Sequence, residues 1–91
     1  MAEAWSMEGL AILGSFRSGQ EIHGYGICRA TGLPIGTVYS ALHRFEERGL
    51  LHSRAELVDQ TVAPRVPKVL YQITDAGFDA IRKIRMALGS S

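Results

Sequence analysis

The sequence predicts a single, mainly α-helical domain with one small β-hairpin. Apolar residues recur at helical spacing in four stretches of the chain, and two later stretches alternate between apolar and polar residues, as strands do. Glycines and prolines separate these stretches, and the 91 residues contain neither an internal repeat nor a linker between domains. The predicted order is helix, helix, turn, helix, strand, loop, strand, helix, in one domain over residues 1–91.

The composition narrows the class of protein. Apolar residues make up 46% of the chain, which is typical of folded soluble proteins and too high for a disordered one. No apolar run approaches the roughly 20 residues that a membrane helix needs, and the N-terminus lacks the basic start of a secretion signal. We therefore expect a cytoplasmic protein with no membrane partner. The net charge of +1 neither favours nor excludes nucleic acid.

The first two predicted helices are short and rich in glycine. The first spans about Trp5–Arg17, with Ile12 and Phe16 on the same side as Trp5. The second spans Glu21–Thr31, where Gly24 and Gly26 lower the helix propensity, so that packing must hold it. Small residues in this helix also allow another helix to come close.

A tight corner follows the second helix. Gly32 can adopt the left-handed conformation that ends a helix, and Pro34 suits the first turn of the next one. The third helix runs over about Ile35–Arg48 and ends at Gly49. Its inward stripe is predicted to consist of Val38, Ala41, Leu42 and Phe45.

The C-terminal half predicts a hairpin followed by a helix. The strands are Leu50–Leu57 and Val69–Thr74, and the loop between them contains two prolines. The last helix starts at Thr74 or Asp75, with Thr74 as its N-cap, and continues to about residue 88. The apolar line of this helix consists of Phe78, Ile81, Ile84 and Leu88. We expect the N-terminal half of the helix to pack inward and its C-terminal half to form a dimer contact together with the first helix. The residues assigned to that dimer contact are Trp5, Ile81, Ile84 and Leu88.

The spacing of the second and third helices is typical of a helix-turn-helix. Such an arrangement leaves the polar face of the third helix projecting from the body, where it fits the major groove of DNA. The hairpin then becomes the wing of a winged helix, with Arg65 held in a proline-stiffened loop and Lys68 just beyond it. The candidate DNA-binding residues are Gly36, Thr37, Tyr39, Ser40, His43, Arg44, Arg65 and Lys68.

Three motifs in this order resemble the PadR family of bacterial transcription regulators. They are "HGYGI" at 23–27, "GTVYSALHRFEERGLL" at 36–51 and "PKVLYQITDAG" at 67–77. The resemblance implies a homodimeric winged-helix repressor, with Thr37, Tyr39 and Arg44 at the DNA and Lys68 at its backbone. The chain ends just after the last helix, where longer members carry a helical dimerisation domain. The resemblance therefore leaves open how the dimer, and any pocket for a small-molecule effector, is formed.

Other kinds of site are not predicted. The three histidines and the single cysteine, Cys28, lack a zinc-binding spacing, so we expect no metal. His23 is expected to cap or pack at the second helix, and Cys28 to fill the crossing of the second and third helices. Adjacent Glu46 and Glu47 are interpreted as a solvated edge rather than a catalytic pair. With no nucleophile elbow or phosphate loop, we expect neither an enzyme nor a cofactor.

Three alternatives remain open at this stage. Tyr39 can be a core aromatic whose hydroxyl stays in water. The domain can be a protein-binding winged helix without specific DNA readout, as the near-neutral charge and Glu46 and Glu47 beside the reading face suggest. It can also be a ligand-responsive regulator with a pocket near Trp5 at the dimer seam.

Overall fold

The computed structural model describes residues 6–62 and 66–89, which form four helices and a three-stranded antiparallel sheet. No helix within these described ranges is long and apolar enough to cross a membrane. The elements in chain order are α1 (Met7–Gly14), β1 (Ile22–His23), α2 (Gly24–Thr31), α3 (Ile35–Glu47), β2 (Leu51–Ala55), β3 (Val69–Ile73) and α4 (Asp75–Gly89).

Helix α1 is shorter than the predicted Trp5–Arg17 span. It begins after Ser6, whose hydroxyl accepts a hydrogen bond from the Gly9 N–H (2.9 Å). It ends at Ser15, whose hydroxyl donates to the Ile12 carbonyl (2.7 Å), so that a polar side chain competes with continued helix at this point. Trp5 lies outside the described residues.

Helix α2 starts at Gly24, three residues later than predicted, because Ile22 and His23 form strand β1. His23 caps the helix as expected, since its Nδ1 accepts a hydrogen bond from the Gly26 N–H (3.2 Å). The corner also forms as predicted: Gly32 has φ +75 and its N–H donates to the Cys28 carbonyl (2.8 Å). Pro34 is expected in the first turn of the third helix, whereas in the structure it is the N-cap residue just before α3.

The sheet has the strand order β1-β3-β2. Strands β2 and β3 form the predicted hairpin, in which Leu51 pairs with Ile73 and Ala55 with Val69. Strand β1 adds to the other edge of β3 and was not predicted. Strand β2 stops short of the predicted Leu57, whose side chain is 92% exposed. We call β2, β3 and the loop between them the wing.

The core lies where α1, α2 and α3 meet the sheet and α4. The inward stripe predicted for α3 is buried in full, and Cys28 and Leu33 pack against the core from the corner side. The buried residues are Ile12, Leu13, Phe16, Ile27, Val38, Ala41, Leu42, Phe45, Leu51, Tyr71, Ile73 and Ile81. All are apolar or aromatic, so hydrophobic burial supplies most of the stability of this fold.

The N-terminal end of α4 is fixed to the end of α3. Thr74 caps α4 as predicted: it accepts a hydrogen bond from the Gly77 N–H (3.0 Å) and donates to the Gly49 carbonyl (2.7 Å). A side chain at Gly77 would overlap the Leu50 carbonyl, so glycine is what allows the two segments to touch. The expectation that Phe78 packs inward is wrong, since its side chain is 44% exposed and only Ile81 of this helix's apolar line reaches the core.

Candidate nucleic-acid interface

Helix α3 presents a polar face opposite its buried stripe. Four of the predicted side chains on it are exposed and the fifth, Thr37, is half-buried. They lie on successive turns of one continuous helix, so they form a single strip rather than scattered polar positions. The exposed members are Tyr39, Ser40, His43 and Arg44.

The N-terminal end of this strip is open. Gly36 is exposed, and within the described part of the chain no atom lies within 4 Å of where its Cβ would stand. Pro34, at the N-cap, gives no side-chain hydrogen bond to the first turn. The backbone N–H groups at the positive end of α3 are therefore accessible, and such groups favour anions.

Tyr39 is positioned by α2. Its ring lies against Gly24 so closely that a Cβ at Gly24 would stand 2.8 Å from Tyr39 Cε2 and nearer still to Tyr39 Cζ and the hydroxyl oxygen. The side chain nevertheless stays 39% exposed. The hydroxyl end of the ring thus packs against α2, while part of the side chain faces solvent.

Arg44 and His43 occupy the second half of the strip. The Arg44 guanidinium donates to the Ser40 hydroxyl (3.2 Å), and within the described ranges it forms no ion pair. His43 lies 3.3 Å from a Glu47 carboxylate oxygen, one helical turn away. Arg44 therefore keeps an uncompensated charge beside a hydroxyl, which suits a base edge or a phosphate.

The described part of the wing contributes one of its two predicted cations. Lys68 is exposed just before β3, at the outer end of the hairpin. Its backbone N–H donates to a Glu56 carboxylate oxygen (3.2 Å). The Glu56 N–H donates in turn to the Lys68 carbonyl (2.8 Å), so the two strands stay paired one step beyond β2. Arg65 lies outside the described residues.

Side-chain hydrogen bonds from Ser53 and Arg54 join the wing to the body, and sequence reasoning missed both. Ser53 of β2 donates to Glu46 of α3 (2.7 Å), so Glu46 is not simply on a solvated edge as predicted. Arg54 of β2 reaches Glu21 with two hydrogen bonds of 2.6 and 2.8 Å. Neither partner follows from sequence spacing, because each pair joins different elements.

The charges of these pairs affect two pKa values. The hydrogen bond from Arg54 lowers the pKa of Glu21 below its ordinary value. Burial of the Tyr71 ring raises the pKa of its hydroxyl, and the nearby Glu46 carboxylate and Tyr39 raise it further.

The residues assigned to a dimer contact occupy different environments. Ile81 is only 4% exposed and belongs to the domain's own core, whereas Ile84 is half-buried. Leu88 and Met86 are both strongly exposed, at 65% and 67%. The exposed apolar surface of α4 thus lies towards its C-terminal end, and Trp5 falls outside the described residues.

An open cleft of about 690 Å³ runs along α4 and is lined by Phe78, Ile81, Arg85 and Met86 among others. Among all the described residues, no three His, Cys, Asp or Glu side chains come together in a way that would hold a metal ion.

Comparison with known proteins relates this geometry to a family. The family described as transcriptional regulator PadR-like matches residues 12–83, which is more than half of the chain. No curated protein matches this chain.

Three solved structures show the same fold. A PadR-family transcriptional regulator from Eggerthella lenta is 21% identical, with a TM-score of 0.75 over 90% of this chain and 71% of that one. A PadR-family regulator from Clostridium difficile is 22% identical, with a TM-score of 0.73 over 90% of this chain and 86% of that one. Bacillus subtilis PadR in complex with operator DNA is 21% identical, with a TM-score of 0.73 over 86% of this chain but only 46% of that one.

Proposed function

Because this chain belongs to the PadR-like family of transcriptional regulators, we propose that it binds operator DNA as a homodimer and represses transcription. Members of this family are transcriptional regulators rather than enzymes. The observation that carries the proposal is α3 itself, whose apolar stripe is buried in full while its polar face is open to solvent. We place the protein in the cytoplasm, where a bacterial operator is found.

We assign base reading to Arg44 and Tyr39 on the polar face of α3. Arg44 forms no ion pair with the described residues and holds its guanidinium next to Ser40, and an arginine fork matches the two acceptors of guanine in the major groove. Tyr39, fixed on one side by Gly24, offers a hydroxyl at a defined position with little loss of side-chain entropy. Thr37, Gly36 and the open backbone at the start of α3 would meet a phosphate.

We assign contact with the DNA backbone to the wing. Lys68 is exposed on the wing, where a lysine serves as a point charge for phosphates. Arg65 is assigned to the same task or to the minor groove, on the basis of its place in the sequence between two prolines. The solved complex of Bacillus subtilis PadR with operator DNA supports a DNA-binding role for this fold.

We assign the contact between the two copies of the homodimer to α4. The exposed apolar residues near its C-terminal end, including Leu88 and Met86, together with the half-buried Ile84 would meet the same surface on a second copy. A self-complementary contact of this kind gives a dimer and therefore a palindromic site. Linking two readers raises the effective concentration of the second one, so a weak half-site contact becomes a specific complex.

The proposal is tested by selecting bound DNA from a random library and measuring affinity for the selected sequence at several salt concentrations. We expect a palindrome whose half-sites lie about one helical turn apart, and an affinity that falls as salt rises. Lys68→Ala should weaken all sequences to a similar extent and reduce the salt slope by about 1. Arg17→Ala removes an exposed cation from the loop after α1 and serves as the matched control. Failure to enrich any sequence would contradict the proposal.

A protein-binding role is the second candidate. Tyr25 and Ile35, on α2 and α3, are both exposed apolar side chains close to the reading strip, which is unusual for a surface that meets only DNA. A partner retained in a pull-down after nuclease treatment, with no DNA enriched from the library, would favour this role.

Regulation by a small-molecule effector is a separate possibility, and the cleft along α4 is where we place it. A thermal-shift screen tests this, since a bound ligand raises the melting temperature. A ligand that shifts the parent chain but not a Phe78→Ala variant would locate the effector there.

A further inference from the structure

We propose that Glu46 is a positioning residue that sets the angle of the wing relative to α3 through its hydrogen bond from Ser53. The inference rests on the proposed function, because the angle matters only if α3 and the wing meet one DNA duplex together. Glu46 is half-buried and already accepts the hydrogen bond from Ser53, and a carboxylate near phosphates is repelled, so we assign it no direct DNA contact.

The geometry places this bond between the two parts of the interface. Glu46 lies on α3 next to the buried Phe45, two residues after Arg44, and Ser53 lies in the middle of β2. The hydroxyl donates to the carboxylate over 2.7 Å, and both residues are half-buried. A charged acceptor with partial shielding from water makes a stronger hydrogen bond than a neutral, exposed one.

Packing alone does not hold the outer half of the wing. At the base of the hairpin, Leu51 and Ile73 face each other and are both buried. At the outer end, the equivalent pair of Ala55 and Val69 is exposed. Ser53 stands between these pairs, opposite the buried Tyr71, so the Glu46 bond acts where apolar contact is ending.

A shift of the wing would separate its phosphate contact from base reading. Lys68 follows the outer end of the hairpin, beyond Ser53, so a small change of angle at Ser53 becomes a larger displacement at Lys68. Arg44 is on the helix that carries Glu46 and would stay in place. Loss of the bond is therefore expected to weaken the wing contact while leaving base preference intact.

The sign of the effect separates positioning from simple electrostatics. Removing a carboxylate from a DNA-binding surface ordinarily raises DNA affinity, because repulsion of phosphates is relieved. If Glu46 positions the wing, Glu46→Ala should instead lower operator affinity, by roughly 10-fold, which is the scale of one hydrogen bond to a charged group. Glu46→Gln keeps an acceptor for Ser53 and should stay within about 2-fold of the parent.

The decisive experiment is a double-mutant cycle with the wing. Affinity for the selected operator is measured for the parent, Glu46→Ala, Lys68→Ala and the double variant, with Ser53→Ala as an independent way to remove the bond. We expect Glu46→Ala to cost about 10-fold alone and distinctly less in the Lys68→Ala background, because the Lys68 phosphate contact is then already lost and only that of Arg65 remains to be displaced. An equal cost in both backgrounds, or a gain in affinity, would overturn the inference.

A second measurement does not depend on DNA. Amide hydrogen exchange at Glu56, whose N–H pairs with the Lys68 carbonyl, reports opening of the outer wing. Glu46→Ala should accelerate this exchange while amides in the middle of α3 stay protected. Unchanged exchange at Glu56 would overturn the inference even if the parent binds DNA. Failure of the parent to bind any selected DNA would defeat the proposed function, and the exchange result would still decide whether Glu46 holds the wing.

Discussion

Helices α3 and α4 are both amphipathic, but the body holds them in different ways. Every residue of the apolar stripe of α3 is buried, and apart from Ile35 and the Tyr39 ring the large side chains that remain exposed are polar. Helix α4 is tied down at Thr74 and Gly77, buries Ile81, and then leaves Met86 and Leu88 in solvent. A helix held along its whole length can present a fixed pattern of hydrogen-bonding groups. A helix held at one end with apolar residues at the other suits a surface that another protein covers.

The largest expected effect comes from making the same truncation in both helices. Leu42→Ala should lower the free energy of unfolding by about 2–5 kcal/mol, because Leu42 is fully buried and the cavity cannot be refilled. Leu88→Ala should change the stability of the monomer by less than about 0.5 kcal/mol and instead weaken self-association. Chemical denaturation at low protein concentration measures the first quantity, and sedimentation measures the second. Equal destabilisation by both variants would erase the distinction between the helices.

A single added methyl group tests how α3 is held. Gly24→Ala would place a Cβ in overlap with Cζ and the hydroxyl oxygen of Tyr39, so the Tyr39 side chain must move or the helices must separate. We expect a loss of about 1–3 kcal/mol in the free energy of unfolding, as for other overpacked contacts. Operator affinity should fall as well, and the paired variant Gly24→Ala with Tyr39→Phe should recover only part of the stability, because the ring carbon Cζ stays in the way after the hydroxyl oxygen is removed. Gly36→Ala, where no described atom is near, is the control for helix propensity.

The anchor of α4 is expected to contribute less. Thr74→Ala removes the hydroxyl that accepts from Gly77 and donates to Gly49, and loss of an N-cap typically costs about 1 kcal/mol. Thr74→Ser keeps both hydrogen bonds and should recover most of that stability. Thermal unfolding of the two variants checks this. If serine were no better than alanine, the cap would not be what fixes the start of α4.

The smallest expected effect concerns the exposed flank of α4. Hydrogen bonds from Arg82 and then Lys83 lower the pKa of Asp79 below its ordinary value. A carboxylate whose folded pKa is lowered stabilises the fold above its unfolded pKa, near ~3.9, and that contribution disappears as the pH falls through the folded value. Asp79→Asn should therefore be slightly less stable than the parent at neutral pH and equally stable in acid. Denaturation curves at both pH values test this, and a difference that persisted in acid would contradict the assignment.

Much of α3 and the hairpin of β2 and β3 could be predicted from the sequence, but the third strand of the sheet could not. The buried stripe and the corner at Gly32 follow from local rules, namely a repeat of 3.6 residues and a glycine able to adopt positive φ. Strand β1 has only two residues, too few for alternation to be visible, and its partners Tyr71 and Leu70 are distant in sequence. Local pattern cannot identify such a pairing.

The wrong predictions share the same cause. Glu46 has the sequence pattern of a solvated edge, and only the fold places Ser53 beside it. Phe78 has the spacing of a core residue, but α4 meets the body along a narrow line that Ile81 occupies. Periodicity shows which side of a helix is apolar, whereas tertiary packing decides how much of that side is covered. The resemblance to PadR regulators indicated the reading residues in α3, and their exposure in the structure is consistent with that role.

The most direct test of the central claim is the base-by-base affinity profile of Arg44→Ala compared with that of the parent. Every single-base variant of the selected operator is measured with both proteins at one salt concentration. If the polar face of α3 reads DNA, Arg44→Ala should lose about 1–3 kcal/mol of discrimination at one base pair in each half-site and keep the remaining preferences. A uniform loss at all positions, or no loss, would contradict the claim that this face of α3 specifies sequence.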